Sequence, residues 1–386
     1  MTVGVGAKSG NGGVDVTQRN HRRGLPRRQV LRRAGLVAVS GVAAPAILKF
    51  RGALAQDKPA TLTVRSWDGV WLESLRRGVS EPFSEATGIP ILHTVTQDIE
   101  TVPEILDAVE HGRVPPIHVD WNTAINITML ALRGATEDLS DLAGLDALLP
   151  IARPTGFDAW PFVNTYAYVF ALAYREDAFA DGPPDSWRAL ANPAVRDRIA
   201  LFQDGGGFYS AAQVTGGGTL AEMPDNMDPC WSFMAEVAAN GARLGQDPDM
   251  TDWLSNGDVD ACCTITSNAR AARQDGAPVA WTIPQEGAEV ATDGMCIPVG
   301  LPENERYWAA RYIETALSPQ SQQVWCDGLG LPPVYPGLTP PADLVGDPTY
   351  PTQEADFQPL LSLPTPMVAE HKDAWLARYQ EIMSVG

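Results

Sequence analysis

Leu72, Leu75, Val79 and Phe83 recur every three or four residues between Trp71 and Thr87, the spacing of one apolar helix face, and the run stops at Gly88. Before it, residues 61–67 read as a β-strand ending in the loop Asp68-Gly69. Residues 89–95 predict a second strand, and 102–111 a second helix with Gly112 beyond its end. Strand, helix, strand, helix is the order of an α/β fold with a largely parallel sheet. In such sheets ligands bind beyond the carboxyl ends of strands, which puts Trp67 and Asp68 in a binding position.

The alternation continues. Residues 118–121 predict a short strand that includes Trp121, leads into Asn122 and Thr123, and is followed by a helix to Arg133. Residues 165–174 form an aromatic-rich strand, and 183–190 start a helix with a Ser or Asp cap. The strand 198–203 feeds Asp204, three glycines, Phe208 and Tyr209; a glycine turn at a helix start lets backbone amides face a ligand. Ser267 and Asn268 follow a strand and precede a helical segment. Each candidate also has a purely structural reading: core packing for Trp67, capping for Asp68, a buried plug plus an N-cap for Trp121, Asn122 and Thr123, a plain tight turn for Asp204.

The N-terminal segment stands apart. Arg27 and Arg28 precede an apolar stretch over 34–48 that holds Gly35, Gly41 and Pro45, and a helix there would span ~22 Å, short of the ~30 Å hydrocarbon core. Ala53-Leu54-Ala55 supplies the small residues that a signal peptidase reads, so residues 1–55 are expected to be a twin-arginine export leader. The leader holds ten of the 28 basic residues and one of the 47 acidic ones, leaving a mature formal charge of −28. Such a surface repels phosphate backbones and anionic headgroups, which excludes nucleic acid as a partner. Roughly 330 mature residues favour two lobes. Of the five cysteines, all in the second half, some could pair in an oxidising compartment, although buried small hydrophobe is the default reading; adjacent Cys262 and Cys263 would point to opposite faces of a strand.

Several phrases then line up in order: Tyr174-Arg-Glu-Asp-Ala-Phe179, Pro184-Asp-Ser-Trp-Arg-Ala-Leu-Ala-Asn-Pro193, Leu254-Ser-Asn-Gly-Asp-Val-Asp-Ala261, Ile283-Pro-Gln-Glu-Gly-Ala288, Thr292-Asp-Gly-Met-Cys-Ile-Pro298 and Leu317-Ser-Pro-Gln-Ser-Gln-Gln323. Across residues 62–331 the series resembles bacterial periplasmic solute-binding proteins of ABC transporters, most of all the spermidine/putrescine-binding branch. The resemblance implies a type II, Venus-flytrap fold: two α/β lobes joined by crossing hinge strands and closing on a solute. It divides the chain into lobe 1 over 56–168 plus 290–328, and lobe 2 over 169–289 plus 329–386. It also implies a periplasmic monomer that delivers a small solute to permease subunits of the inner membrane, with no cofactor and no catalysis.

Residue by residue, the resemblance carries an aromatic role to Trp67, polar roles to Asn122 and Thr123, and acidic roles to Asp204 and Asp293. Polyamine binders need carboxylates for ammonium ends and aromatic walls for the stem. This chain departs from them at Gly207, where the branch has a further carboxylate, and at Ile265 and Ala291, where it has aromatics. Phe208 and Tyr209 are the expected substitutes for the lost aromatic wall. The expected solute is a cationic or zwitterionic amine. Alternatives are a carboxylate or phosphonate held by the glycine-turn amides, a ferric ion, or an extracytoplasmic enzyme. A near-adjacent tyrosine pair for iron is missing, and so is any nucleophile-elbow, zinc-protease or P-loop motif.

Overall fold

The computed structural model describes residues 57–96 and 100–384; the leader expected over 1–55 lies outside them. Among the described residues no helix is long and apolar enough to cross a membrane. The strand β1 (Leu62–Ser66) leads to α1 (Val70–Leu75), a π-helical turn at Arg76–Ser80, and α2 (Glu81–Thr87). The predicted apolar face of this run is buried: Leu75, Val79 and Phe83 are fully covered. Gly88 ends it in the left-handed region, at φ 74°, with its N–H on the carbonyl of Ser84. Then follow β2 (Ile91–Val95), α3 (Thr101–Glu110), β3 (Asp120–Thr123), α4 (Ala124–Ala131) and the long β4 (Val163–Arg175). The next stretch holds β5 (Ile199–Phe202), α5 (Tyr209–Thr215), α6 (Asp228–Ala239), β6 (Ala242–Gly245), α7 (Asp247–Asn256), β7 (Ala261–Ile265), α8 (Thr266–Gln274) and β8 (Val279–Thr282). The chain continues through β9 (Glu289–Cys296), α9 (Glu303–Ala316), α10 (Pro319–Leu329) and α11 (Thr365–Met383).

The larger sheet has the order β3-β9-β4-β7-β5-β6, with β8 also on β4, and β1 pairs with β2 separately. Parallel pairing is confined to β1–β2, β5–β6 and β5–β7. The ladders β3–β9, β4–β9, β4–β7 and β4–β8 are antiparallel. The expected largely parallel sheet is therefore corrected to a mixed one, because β4 and β9 run side by side in opposite directions through the middle. The short strand expected at 118–121 is Asp120–Thr123, with Thr123 as the N-cap of α4. The helix expected from 183 is only a 3-10 turn, Trp187–Ala191, capped by Ser186. Asn192 precedes Pro193 and is held extended, at ψ 125°, which stops the turn from growing.

Two principal cores flank the β4–β9 pair. Leu62, Val64, Phe83, Trp121, Tyr166, Met295, Tyr312 and Trp325 belong to the first. Phe170, Leu172, Trp187, Phe208, Phe233, Val290, Trp375 and Tyr379 belong to the second. Each large apolar side chain so buried contributes roughly 1.5–3 kcal/mol. Thus β4 gives Tyr166 to one core and Phe170 to the other, while β9 gives Met295 to one and Val290 to the other. Leu331 and Val334 pack in the first core, not the second, where the division read from sequence places residues 329–386. All five cysteines are free and buried, so none pairs. As strand alternation requires, Cys262 and Cys263 enter different clusters.

Gly207 shows how tightly the second core closes on β4. Its φ is 72°, and a Cβ there would lie 1.9 Å from Cγ of Phe170. Gly207→Ala is expected to destabilise the protein by at least about 2 kcal/mol, since strain and overpacking add; urea denaturation measures it.

Candidate functional site

Along the β4–β9 ladder Tyr166 stands opposite Asp293, Tyr168 opposite Ala291 and Phe170 opposite Glu289. Period-two alternation puts these six side chains on one face of the pair. A cavity of about 290 Å³ borders the ladder at Asn164 and Tyr168 of β4 and at residues 289–292 of β9. Thr123 and the first residues of α4 close one side, Pro150 and Ile151 another, and the C-terminal segment supplies Phe357, Leu363 and Val368. The walls are mostly apolar, as in small-molecule sites generally.

Three charged side chains border this space: Arg153, Glu289 and Glu354. Arg153 is already engaged, its Nη2 donating to the carbonyl of Asp158 at 2.8 Å and its guanidinium lying 5.4 Å from the Trp160 ring centroid. Glu354 is exposed. Glu289 is half-buried, and its Oε2 accepts a 2.5 Å hydrogen bond from Oγ of Ser210 in α5. Burial pushes its carboxyl up to about 6, the Ser210 bond opposes that rise, and the charge of Asp204 adds to it.

Asp293 sits deeper on the same strand, buried, with Oδ2 accepting from the phenol of Tyr166 at 2.6 Å. Burial, then the Asp293 charge, holds the Tyr166 phenol far above its ordinary range, so it stays a donor. Thr123 pairs with Asp293 across β3–β9 and lines the cavity while capping α4 through Asn126 N–H. The sequence-derived candidates Thr123 and Asp293 therefore meet at the crossing strands.

Of all the candidates Thr123 alone is among the residues that line the cavity; Asp293 and the rest are not. Trp67 packs edge-on against Trp121 at 4.7 Å, and Arg65, fully buried, lies over its ring at 4.1 Å. The cation expected from a solute is thus supplied by the protein itself. Trp121 is a fully buried plug among Trp67, Trp71, Tyr166 and Trp325. Asn122 is buried and engaged, its Oδ1 accepting from Thr123 N–H at 2.9 Å and from Asn126 Nδ2 at 3.1 Å. Asp68 is exposed and does not cap α1, whose N-cap is Gly69. Phe208 is fully buried between Trp187 and Phe233, and the Tyr209 hydroxyl donates to the carbonyl of Asp204 while its ring packs on Trp375 and Tyr379. Neither replaces the lost aromatic wall, because core packing claims both.

At the glycine turn, Gly205 N–H donates to the carbonyl of Phe202, and Gly206 N–H to Asp204 Oδ1 at 3.0 Å. Two of the three amides offered to an anion are therefore spent, and Asp204 is itself exposed. Ser267 and Asn268 lie in the first turn of α8, away from the cavity lining; Asn268 Nδ2 donates to Asp247 Oδ1 at 2.6 Å. Missed by the sequence reading are Glu289, Tyr168, Arg153 and the C-terminal segment. Glu289 had a signal: stepping back by twos from Asp293 gives Ala291 and then Glu289 on one face.

Two cores on shared crossing strands, with a largely apolar cavity beside those strands, define a two-lobed solute-binding protein of the α/β class. The match to the family of bacterial extracellular solute-binding proteins runs over residues 79–352, and the chain belongs to that family. It is 23% identical over 270 residues, 68% of this chain and 75% of the relative, to the spermidine/putrescine-binding periplasmic protein of Salmonella typhimurium. Its fold is similar to that of an ABC transporter substrate-binding protein from Bradyrhizobium japonicum, with a TM-score of 0.72 and 19% identity over 84% of this chain and all of the other. The binding protein AgtB of Agrobacterium tumefaciens in complex with agropinic acid superposes with a TM-score of 0.64 at 18% identity, over 85% of this chain and all of that one.

Tyr166→Phe removes the phenol that donates to the buried Asp293 carboxylate. A loss of about 1–3 kcal/mol is expected in chemical denaturation, the cost of a buried acceptor losing its donor.

Proposed function

We propose that this chain is the solute-binding component of an ABC importer and that it captures a small amine-bearing solute, cationic or zwitterionic, in the cavity beside β4 and β9. On this reading it is exported to the periplasm through the twin-arginine leader and works as a monomer beside permease subunits of the inner membrane. The family supports the transport role. The relatives named for spermidine and putrescine support an amine, and the agropinic acid complex shows that the fold also holds other solutes.

The carrying observation is the charge around the cavity: two carboxylates, Glu289 and Glu354, against one arginine whose guanidinium is bonded to Asp158 and stacked on Trp160. A buried or half-buried carboxylate favours a cation there, because the pair offsets the cost of desolvating either charge. The competing anion reading relied on the glycine-turn amides, and two of those are already bonded within the turn. Ala291 and Ile265 stand where the polyamine-binding branch has aromatics, leaving Tyr168 and Phe357 as the aromatic side chains on the cavity wall, a shorter wall that favours a compact amine over spermidine.

A thermal-shift screen of the protein against diamines, betaines, amino acids, dicarboxylates and phosphonates tests this. A ligand at a hundredfold excess over its Kd adds about 2.7 kcal/mol to native stability. Amines are expected to raise Tm and dicarboxylates to leave it unchanged. A shift with phosphonates or dicarboxylates alone contradicts the reading.

A further inference from the structure

Glu289 differs from Asp293, Asp204 and Glu354. Asp293 is buried against the Tyr166 phenol, Asp204 is tied to the turn it opens, and Glu354 is exposed at the cavity margin. Glu289 is held from behind: Ser210 Oγ donates to Oε2 at 2.5 Å, and Ser210 is itself fully buried at the start of α5. No described side chain bonds to its Oε1, the Ser210 backbone N–H also favours the carboxylate, and the residue lines the cavity. Its backbone is fixed on both sides, by Phe170 of β4 and by a bridge to Leu361. An acid with one oxygen anchored, a rigid backbone and the second oxygen beside an apolar space is a preorganised acceptor for a charged N–H donor.

We propose that Glu289 is the specificity-determining residue of the cavity, accepting a hydrogen bond from a protonated amine on Oε1, and that Ser210 is its positioning residue. This rests on the amine reading of the site and narrows it: a primary or secondary ammonium, which carries an N–H, is preferred to a quaternary one, which does not. Ala291, two residues along the same face, leaves room for the carbon body of the solute next to the carboxylate.

The direction of proton linkage follows. With its carboxyl pushed up to about 6, Glu289 protonates in mildly acidic solution, and the protonated form loses the charge that attracts an ammonium. The charged and titratable groups around it are Asp204 at the turn, Arg153 and Glu354 on the cavity walls, and the thiols of Cys230 and Cys263 and the phenol of Tyr209, which burial pushes up and keeps neutral. Amine affinity is therefore expected to be flat above pH 7 and to fall toward tenfold per pH unit below 6. Ser210 stabilises the carboxylate form, so its removal moves that fall to higher pH.

Isothermal titration calorimetry with putrescine, 4-aminobutyrate, glycine betaine and glutarate, on the wild-type protein, Glu289→Gln and Ser210→Ala between pH 5 and 8, decides the matter. Expected are tighter binding of putrescine or 4-aminobutyrate than of betaine, at least a tenfold loss in Glu289→Gln with the acid fall abolished, and a smaller loss in Ser210→Ala with the fall shifted upward. Unchanged amine affinity in a Glu289→Gln protein that unfolds at the wild-type temperature overturns the assignment while leaving the amine reading standing. Should Glu289→Gln fail to fold, an unshifted acid fall in Ser210→Ala overturns it equally. Binding of glutarate alone removes the amine reading and this assignment with it.

Discussion

Everything in this molecule hangs on the antiparallel ladder between β4 and β9. Its register sets Tyr166 against Asp293, Tyr168 against Ala291 and Phe170 against Glu289. The same two strands give side chains to both cores, so neither core can form without them. A slip of one residue would turn the whole set to the opposite face. Such a slip would take the Asp293 carboxylate from the phenol that bonds it and move Glu289 off the cavity wall. The irregularity between Asn164 and Tyr166 is where the register is adjusted, next to the point where Asn164 Nδ2 donates to the carbonyl of Ile151 and ties β4 to another wall of the cavity.

The C-terminal helix reinforces this arrangement from outside. Lys372 of α11 donates to Asn126 Oδ1 on α4, and the Tyr379 hydroxyl donates to the carbonyl of Phe202 at the end of β5. The burial of the Glu289 carboxyl has a stability cost. Glu289 holds its proton more tightly in the folded chain than its ordinary value of 4.5, so the folded state loses stability as pH rises from about 4.5 to about 6. On the proposed reading a bound ammonium would offset that loss, leaving the site poorly satisfied when empty and well satisfied when filled.

Much of the fold was legible in the sequence, because its periodicities are strong. The apolar stripe from Leu72 to Phe83, the glycine stops at Gly88 and Gly112, and the strand ending at the glycine turn all stand where the pattern puts them. The mixed sheet was not legible, since antiparallel pairing of β4 with β9 joins residues more than a hundred positions apart and leaves no local trace. The site was legible only in part. Thr123 and Asp293 came from strand ends and family resemblance, but aromatic residues such as Trp67, Phe208 and Tyr209 look alike in a core and in a binding wall until packing is known. The C-terminal lining, Phe357 to Val368, lies beyond the family match and in mostly irregular chain, where neither periodicity nor motif speaks.

The central claim, that an amine-bearing solute binds beside β4 and β9 with its nitrogen on Glu289, is tested most directly by a crystal structure of the protein grown with putrescine or 4-aminobutyrate. The account predicts density in the cavity with the nitrogen about 3 Å from Glu289 Oε1, charge-assisted hydrogen-bond distance. Density at the turn formed by Gly205 to Gly207, or against Trp67, with the cavity beside Glu289 left empty, would contradict it.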